Sequence, residues 1–139
     1  MLKGNIMADE RVSTRPLIYK LGVKPLSKVS VLGIGVDQKD FWEALQTRTP
    51  NVSPRLRKES DLIFYAADSE IELKRLAVLK SYLKKDGAIW VISLKGKQAR
   101  LRDVQVIAAA KAAGLVDNKV VAFSESQTSL RLVIPRALR

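Results

Sequence analysis

The chain has 139 residues and a net charge of +11, from 25 basic and 14 acidic side chains, and it contains neither cysteine nor histidine. This length suits one domain, and the composition excludes disulfides, thiolate metal sites and a histidine-based catalytic triad. The N-terminus has no secretory pattern, and every apolar run is far shorter than the roughly 20 residues that span a bilayer. We therefore predict a cytoplasmic protein without a membrane partner.

The first part of the chain predicts one strand between two helices. Residues 1–13 are polar and mixed, and we predict a flexible segment there, followed by a single domain at 14–139. A short helix is expected at 16–22, and the β-branched run at 29–34 is typical of a strand covered on both faces. A helix at about 39–47 follows a glycine-containing loop.

The middle of the chain predicts a second strand and a capped helix. The basic stretch around 55–57 is either a short edge strand or a loop, because prolines flank it. A strand is predicted at 61–66. Ser69 and Glu72 form a capping-box pattern at the start of a helix that should run to about Lys85 and end at Asp86-Gly87.

The last third predicts a third strand, an alanine-rich helix and a hairpin. The strand covers 88–93, and the helix runs from Asp103 to Ala113, with Gly114 ending it. Strands at 119–124 and 130–134 should pair as a hairpin around a five-residue turn.

Strands that alternate with helices and end in a hairpin define the expected fold class. We predict an α/β, three-layer Rossmann-like sandwich with a mainly parallel sheet, helices on both faces and a C-terminal antiparallel hairpin. Ligands of such sheets bind beyond the carboxyl ends of the strands. This places three segments around one crevice, namely Gly33–Gly35, Ala66–Ser69 and Ser93–Lys97.

The glycine loop lacks the side chains of a dinucleotide fingerprint. With Gly33 and Gly35 as its first two glycines, the third glycine position is held by Gln38. The acid that should bind a ribose at the end of the second strand is also missing, because 54–58 is basic and Glu59 comes too late. On its own, the loop is explained by a tight turn and close helix packing.

Three stretches resemble the class I S-adenosylmethionine-dependent methyltransferases, at 31–35, 60–63 and 82–91. The resemblance implies an acid two residues before the first glycine of the loop and a glycine two residues after it. With Gly35 as that first glycine, Gly33 and Asp37 stand in those places instead.

The chain is also similar, over about 120 residues, to a family of small uncharacterised bacterial proteins that looks like a reduced relative of these enzymes. The matching segments are 16–17, 20–25, 86–91, 113–117, 119–120 and 130–133. This chain departs from that family near 124–129, where the relatives tend to carry an aromatic residue in place of Gln127. The resemblance implies a fold and little chemistry.

Basic residues define a second candidate site, a rim of the crevice that could neutralise phosphates. The predicted anion-binding residues are Lys95, Lys97, Arg100, Arg102, Arg55 and Arg57, with Lys58 beside them. The alternative is a solvated mobile loop. Asp37 and Asp40 flank the glycine loop as possible paired acids, but charge complementarity to a helix start explains them equally well. We predict no metal site and no catalytic residue.

Three functional hypotheses follow. The first is a non-enzymatic binding module without a cofactor, whose degenerate glycine loop and basic rim receive an anionic partner. The second is a divergent methyltransferase that binds S-adenosylmethionine through Gly33 and Gly35. The third is a nucleic-acid-binding protein that depends on the +11 charge.

Overall fold

The computed structural model describes residues 16–139, which form one six-stranded sheet between two layers of helices. The helices are α1 (Leu17–Lys20), α2 (Lys39–Arg48), α3 (Glu70–Leu73), α4 (Leu76–Lys80) and α5 (Asp103–Ala112). The strands are β1 (Val29–Leu32), β2 (Val52–Ser53), β3 (Ser60–Ala66), β4 (Leu83–Leu94), β5 (Val116–Ala122) and β6 (Gln127–Val133). The predicted flexible segment at 1–13 lies outside the described residues.

The strand order is β2-β1-β3-β4-β6-β5. The first four strands are parallel to one another, whereas β6 runs antiparallel to both β4 and β5. The prediction of a Rossmann-like sandwich with a C-terminal antiparallel hairpin is therefore confirmed. None of the helices within 16–139 is long and apolar enough to cross a bilayer.

Each face of the sheet carries its own apolar core. The first face packs under α1 and α2, where Phe41 meets Phe64 edge-on at 5.3 Å between ring centroids. Trp90 is fully buried there, and its indole N–H donates to the carbonyl of Leu21 at 3.0 Å. The second face packs under α3, α4 and α5 around residues such as Ile89. Both cores hold the carboxyl ends of the central strands in fixed positions.

The predicted helix at 69–85 is wrong in its second half. Ser69 caps it as expected, since its hydroxyl accepts from the N–H of Glu72 at 3.2 Å. However, the helix is interrupted between α3 and α4, and β4 already begins at Leu83. Gly87 lies inside that strand. A larger residue would not fit there, because a Cβ would be 2.7 Å from the carbonyl oxygen of Asp61. The glycine therefore permits close strand pairing and does not end a helix.

The hairpin turn is shorter than the predicted five residues. Thr128 and Ser129 pair with both β4 and β5, and the buried hydroxyl of Ser129 donates to the carbonyl of Val121 at 2.6 Å. Ser124 closes the turn, because its hydroxyl accepts from the N–H of Gln127 at 3.1 Å. Thr128 and Ser129, which the sequence places in a turn, therefore belong to strand β6, and the side-chain hydrogen bond of Ser129 stabilises that pairing.

A six-residue connection at 54–59 leads from β2 past β1 to β3. It begins after an edge strand of only two residues, so the sequence at 55–57 is a loop. The N–H of Arg57 donates to the hydroxyl of Ser30, which also bonds to the hydroxyl of Ser60 at 2.9 Å. These buried contacts hold the connection against the sheet without a helix.

Candidate functional site

The strand order reverses between β1 and β3, and the glycine loop starts at this point. The chain leaves β1 toward β2 on one side, whereas β3 lies on the other side. Gly33 has a φ of +80°, and a Cβ at this position would be 3.3 Å from the Cβ of Ala66 at the end of β3. Glycine therefore allows the two strand ends to approach closely at the place where open α/β sheets bind ligands.

The loop between β1 and α2 directs its carbonyl groups toward the helix. The indole N–H of Trp42 donates to the carbonyl of Gly35 at 3.0 Å, and the N–H of Gln38 donates to the same carbonyl at 3.1 Å. Within residues 16–139, the backbone N–H groups of Ile34, Gly35 and Val36 have no hydrogen-bond acceptor. The loop before α2 therefore offers backbone donors that a carboxylate or another acceptor can pair with.

Asp37 adds a negative charge to this loop. The carboxylate oxygen of Asp37 would clash with a Cβ at Gly35, so the carboxylate lies directly over the glycine. Any side chain at position 35 would displace it. The loop thus combines free N–H donors with one carboxylate, which suits a ligand that has both an anionic and a cationic group.

Two cavities flank the first turn of α2. We name the first the hairpin cavity; it measures about 530 Å³ and lies between α1, α2 and the β5–β6 turn. Its lining includes Asp37, Asp40, Phe41, Phe123 and Ser124. We name the second the β2-edge cavity; it measures about 670 Å³ and lies beside the glycine loop at the open edge of the sheet. Its walls are mainly Val31, Gly33, Gly35, Trp42, Val52 and Pro54.

Glu43 and Gln46 line the β2-edge cavity together with Lys39, and sequence reasoning missed both. The dinucleotide pattern places a ribose-binding acid at the end of the second strand, where this chain is basic. Glu43 is an exposed acid of α2 in the same cavity as the glycine loop. Residues 39, 43 and 46 share one face of a helix, so helical spacing from the loop was the signal that could have identified them.

Asp68 connects the ends of β3 and β4. Its carboxylate accepts from the N–H of Leu94 at 2.8 Å, and its own N–H donates to the carboxylate of Glu72 at 2.8 Å. The next residue, Lys95, donates its N–H to the carbonyl of Ser126 in the hairpin turn at 3.0 Å. These bonds bring together two of the three segments predicted to surround the crevice, and the hairpin turn with them.

The predicted basic rim is divided between different parts of the molecule. Lys95, Lys97, Arg100 and Arg102 follow β4 in one loop at the carboxyl edge, and the last three are exposed. Arg55 is exposed too, but it follows β2, which is separated from β4 by two strands. The structure therefore brings the first four together and leaves Arg55 apart.

Arg57 lies at the opposite edge of the sheet, near the amino end of β1. Its guanidinium donates to the side-chain oxygen of Asn51 at 2.7 Å and to the carbonyl oxygens of Asn51 and Val29 at 3.0 and 3.1 Å. Its Nε is buried and has no partner within 16–139. The side chain thus stabilises the connection between β2 and β3 and is not placed with the four cations that follow β4.

Tyr65 lies next to the carboxyl end of β3 and is buried. Burial raises the pKa of its phenol, and the nearby Glu72 adds to this, whereas Arg75 opposes the effect. The hydroxyl donates to the backbone carbonyl of Glu72 at 2.8 Å. The phenol therefore stays protonated and holds the start of α3 against the strand.

The comparison with solved structures identifies relatives of this fold. No family model matches the chain, and no curated protein matches it in sequence. The pyocyanin biosynthetic protein PhzM superposes with a TM-score of 0.64 at 10% identity, over 84% of this chain and 52% of that one. A SAM-dependent methyltransferase from Aquifex aeolicus gives a TM-score of 0.63 at 15% identity, over 85% of this chain and 88% of that one.

A third similar structure is the calicheamicin-biosynthesis methyltransferase CalO1 in an SAH-bound form. It gives a TM-score of 0.57 at 13% identity, over 85% of this chain and 52% of that one. The chain thus spans about half the length of PhzM and CalO1 and most of the Aquifex protein. The identities are low, so the likeness concerns the fold.

These neighbours contradict the prediction of a domain without a cofactor, since the proteins that share the fold include SAM-dependent enzymes and one with SAH bound. The prediction relied on the missing glycine and acid of the loop motif. Backbone contacts at Gly33 and Gly35 belong to the alternative, methyltransferase hypothesis. The comparison also favours the methyltransferase hypothesis over the non-enzymatic module. The described chain has the fold of a reduced, methyltransferase-like Rossmann domain of class I.

Proposed function

We propose that this protein is a divergent S-adenosylmethionine-dependent methyltransferase. One observation carries the proposal: the glycine loop lies at the reversal point of a methyltransferase-like sheet and contains both the carboxylate of Asp37 and N–H donors that have no acceptor within 16–139. Sheets of this kind bind nucleoside ligands at that position. The fold supports the class of cofactor, and the loop supports its location.

The residues of the loop fit the charged end of such a cofactor. The N–H groups of Ile34, Gly35 and Val36 can donate to a carboxylate, because they have no other acceptor within 16–139. The carboxylate of Asp37 favours a positively charged group beside Gly35. When bound, the cofactor supplies an electrophilic methyl group.

The β2-edge cavity fits the nucleoside end. Val31, Val52 and Trp42 provide apolar walls, and Glu43 and Gln46 provide acceptors for hydroxyl groups. Because β2 is the edge strand and only two residues long, the cavity is open to solvent on that side. We expect micromolar or weaker affinity, since an open site buries less of its ligand.

A melting experiment tests the proposal. Saturating S-adenosylmethionine or S-adenosylhomocysteine should stabilise the protein by RT ln(1 + [L]/Kd), or about 2.7 kcal/mol at a hundredfold excess over Kd. Glu43→Gln should weaken binding about tenfold, equivalent to about 1.4 kcal/mol, because it removes a charged acceptor. Glu70→Gln is the matched control, since Glu70 is an exposed acid on α3 outside the β2-edge cavity.

Two results would contradict the proposal. The first is a melting temperature that does not change with either ligand at millimolar concentration. The second is a loss of binding that is equal in the Glu43 and Glu70 variants, because it would place the ligand away from the β2-edge cavity.

A further inference from the structure

The loop that follows β4 concentrates positive charge. We name residues 95–102 the basic loop; it contains Lys95, Lys97, Arg100 and Arg102 and no acidic residue. None of these four side chains takes part in a hydrogen bond or ion pair within the part of the chain that the structure describes. The acids that adjoin the loop are Asp68, whose carboxylate accepts from the N–H of Leu94, and Asp103, which begins α5. The charge of the basic loop is therefore available to a partner.

The backbone of the basic loop is fixed at both ends. Leu94 is bonded to Asp68, and the N–H of Lys95 is bonded to Ser126. A short 3-10 helix at Gly96–Gln98 follows, and Leu101 is only 6% exposed. Because these contacts order the backbone, a partner that binds the four cations has to restrict only their side chains.

The hairpin cavity lies next to the anchored start of this loop, since both contact the hairpin turn at Ser124–Ser126. Phe41 and Phe123, both largely buried in the core, contribute apolar lining to the cavity. Asp37 and Asp40 add carboxylate acceptors. Apolar lining together with acceptors suits a flat ring that bears N–H donors, such as a nucleobase.

We infer that this protein binds single-stranded nucleic acid, with phosphates on the basic loop and a base in the hairpin cavity. Arginine and lysine neutralise phosphates, and the planar guanidinium groups of Arg100 and Arg102 suit phosphate oxygens. An acidic polypeptide would also meet the basic loop favourably. Its carboxylates, however, would be repelled by Asp37 and Asp40 in the adjacent cavity. The inference does not rest on the proposed function, because binding of a strand requires no cofactor, but the two sites share Asp37.

Fluorescence anisotropy with a labelled 20-nucleotide single-stranded RNA tests this inference without added cofactor. For the unmodified protein, log K should fall linearly with log[salt]. The variant K97Q/R100Q/R102Q should bind at least tenfold more weakly at 50 mM salt, with a slope that is smaller by about 2, because single strands give about 0.7 per neutralised phosphate.

The matched control is K24Q/K85Q/R136Q. These three cations are also exposed, and they lie near the amino ends of the parallel strands. Both triples remove the same charge, so only the position differs. Should the loop triple fail to fold, R100Q/R102Q should still reduce the slope by about 1.4.

Three outcomes would overturn the inference. RNA binding that is undetectable at 50 mM salt would exclude the site. An equal loss of slope in the two triples would show that overall charge, and not the basic loop, attracts the strand. Displacement of RNA by polyglutamate at an equal concentration of charges would show an acidic polypeptide to be the better partner. A melting shift with S-adenosylmethionine in the same protein would leave the proposed function standing in each case.

Discussion

The two edges of the sheet use the same kinds of residue in opposite ways. At the amino edge, Arg57 donates to carbonyl groups, Lys28 donates to the carbonyl of Lys58, and Lys84 pairs with Asp61 at 3.1 Å. At the carboxyl edge, the cations of the basic loop have no such partners within 16–139. These cationic side chains therefore stabilise the fold at the amino edge, whereas those of the basic loop remain available for binding at the carboxyl edge.

Glycines show the same contrast. Gly87, near the amino edge, permits close packing of β4 on β3. Gly33, at the carboxyl edge, permits close packing and also places a left-handed turn at the reversal point of the sheet. A residue type alone thus does not reveal whether it serves the fold or a site.

The largest expected effect distinguishes two left-handed glycines at the carboxyl edge. Gly33→Ala should lower the free energy of unfolding by about 3 kcal/mol, because strain from the left-handed backbone adds to a contact with Ala66 at 3.3 Å. Gly96→Ala has a similar φ of +71° but open space around it, so a loss of about 1 kcal/mol is expected. Urea denaturation measures both. Equal losses would show that the approach to Ala66 does not constrain the loop.

The next effect distinguishes two arginines that the sequence assigns to one rim. Arg57→Ala should cost about 2 kcal/mol, since it leaves the carbonyls of Val29 and Asn51 without their charged donor. Arg100→Ala should change stability by less than about 0.5 kcal/mol, because the side chain is exposed. A larger loss in the Arg100 variant than in the Arg57 variant would reverse the assigned roles of the two edges.

The smallest effect concerns the buried phenol of Tyr65. The pKa of this phenol is raised in the folded state, so the neutral phenol favours folding. Its contribution to stability is fully present below the ordinary pKa near 10 and is lost as pH rises through the folded-state pKa. Melting temperatures from pH 8 to 11 should therefore fall more steeply for the unmodified protein than for Tyr65→Phe. Parallel curves would mean that this phenol has the same pKa in both states.

The fold could be predicted from the sequence because strand and helix patterns are local. The β-branched run of β1 and the apolar run of β3 both indicate buried strands. The start of β4 and the length of the hairpin could not be predicted, since Gly87 and Ser129 are placed by contacts with neighbouring strands. At these two positions, pairing between neighbouring strands determines the structure, although the local sequence favours a turn.

The site was less predictable because it depends on which backbone and side-chain groups remain free. The sequence identifies Gly33 and Gly35 but not the direction of the loop carbonyls, which Trp42 fixes from α2. It gives the charge of Arg57 but not its position at the amino edge. The anion-binding role of Lys95, Lys97, Arg100 and Arg102 remains a prediction, whereas their common location is now established.

A nitrogen-15 NMR titration with S-adenosylhomocysteine tests the central claim directly, because it needs no substitution. The two tryptophans give separate indole signals: Trp42 is bonded to the glycine loop, and Trp90 is buried under α1. We expect saturable, one-to-one shifts of the Trp42 indole and of the amides of Ile34, Gly35 and Val36, with the Trp90 indole unchanged. Spectra that stay the same at millimolar ligand, or shifts confined to the basic loop at 95–102, would contradict the account.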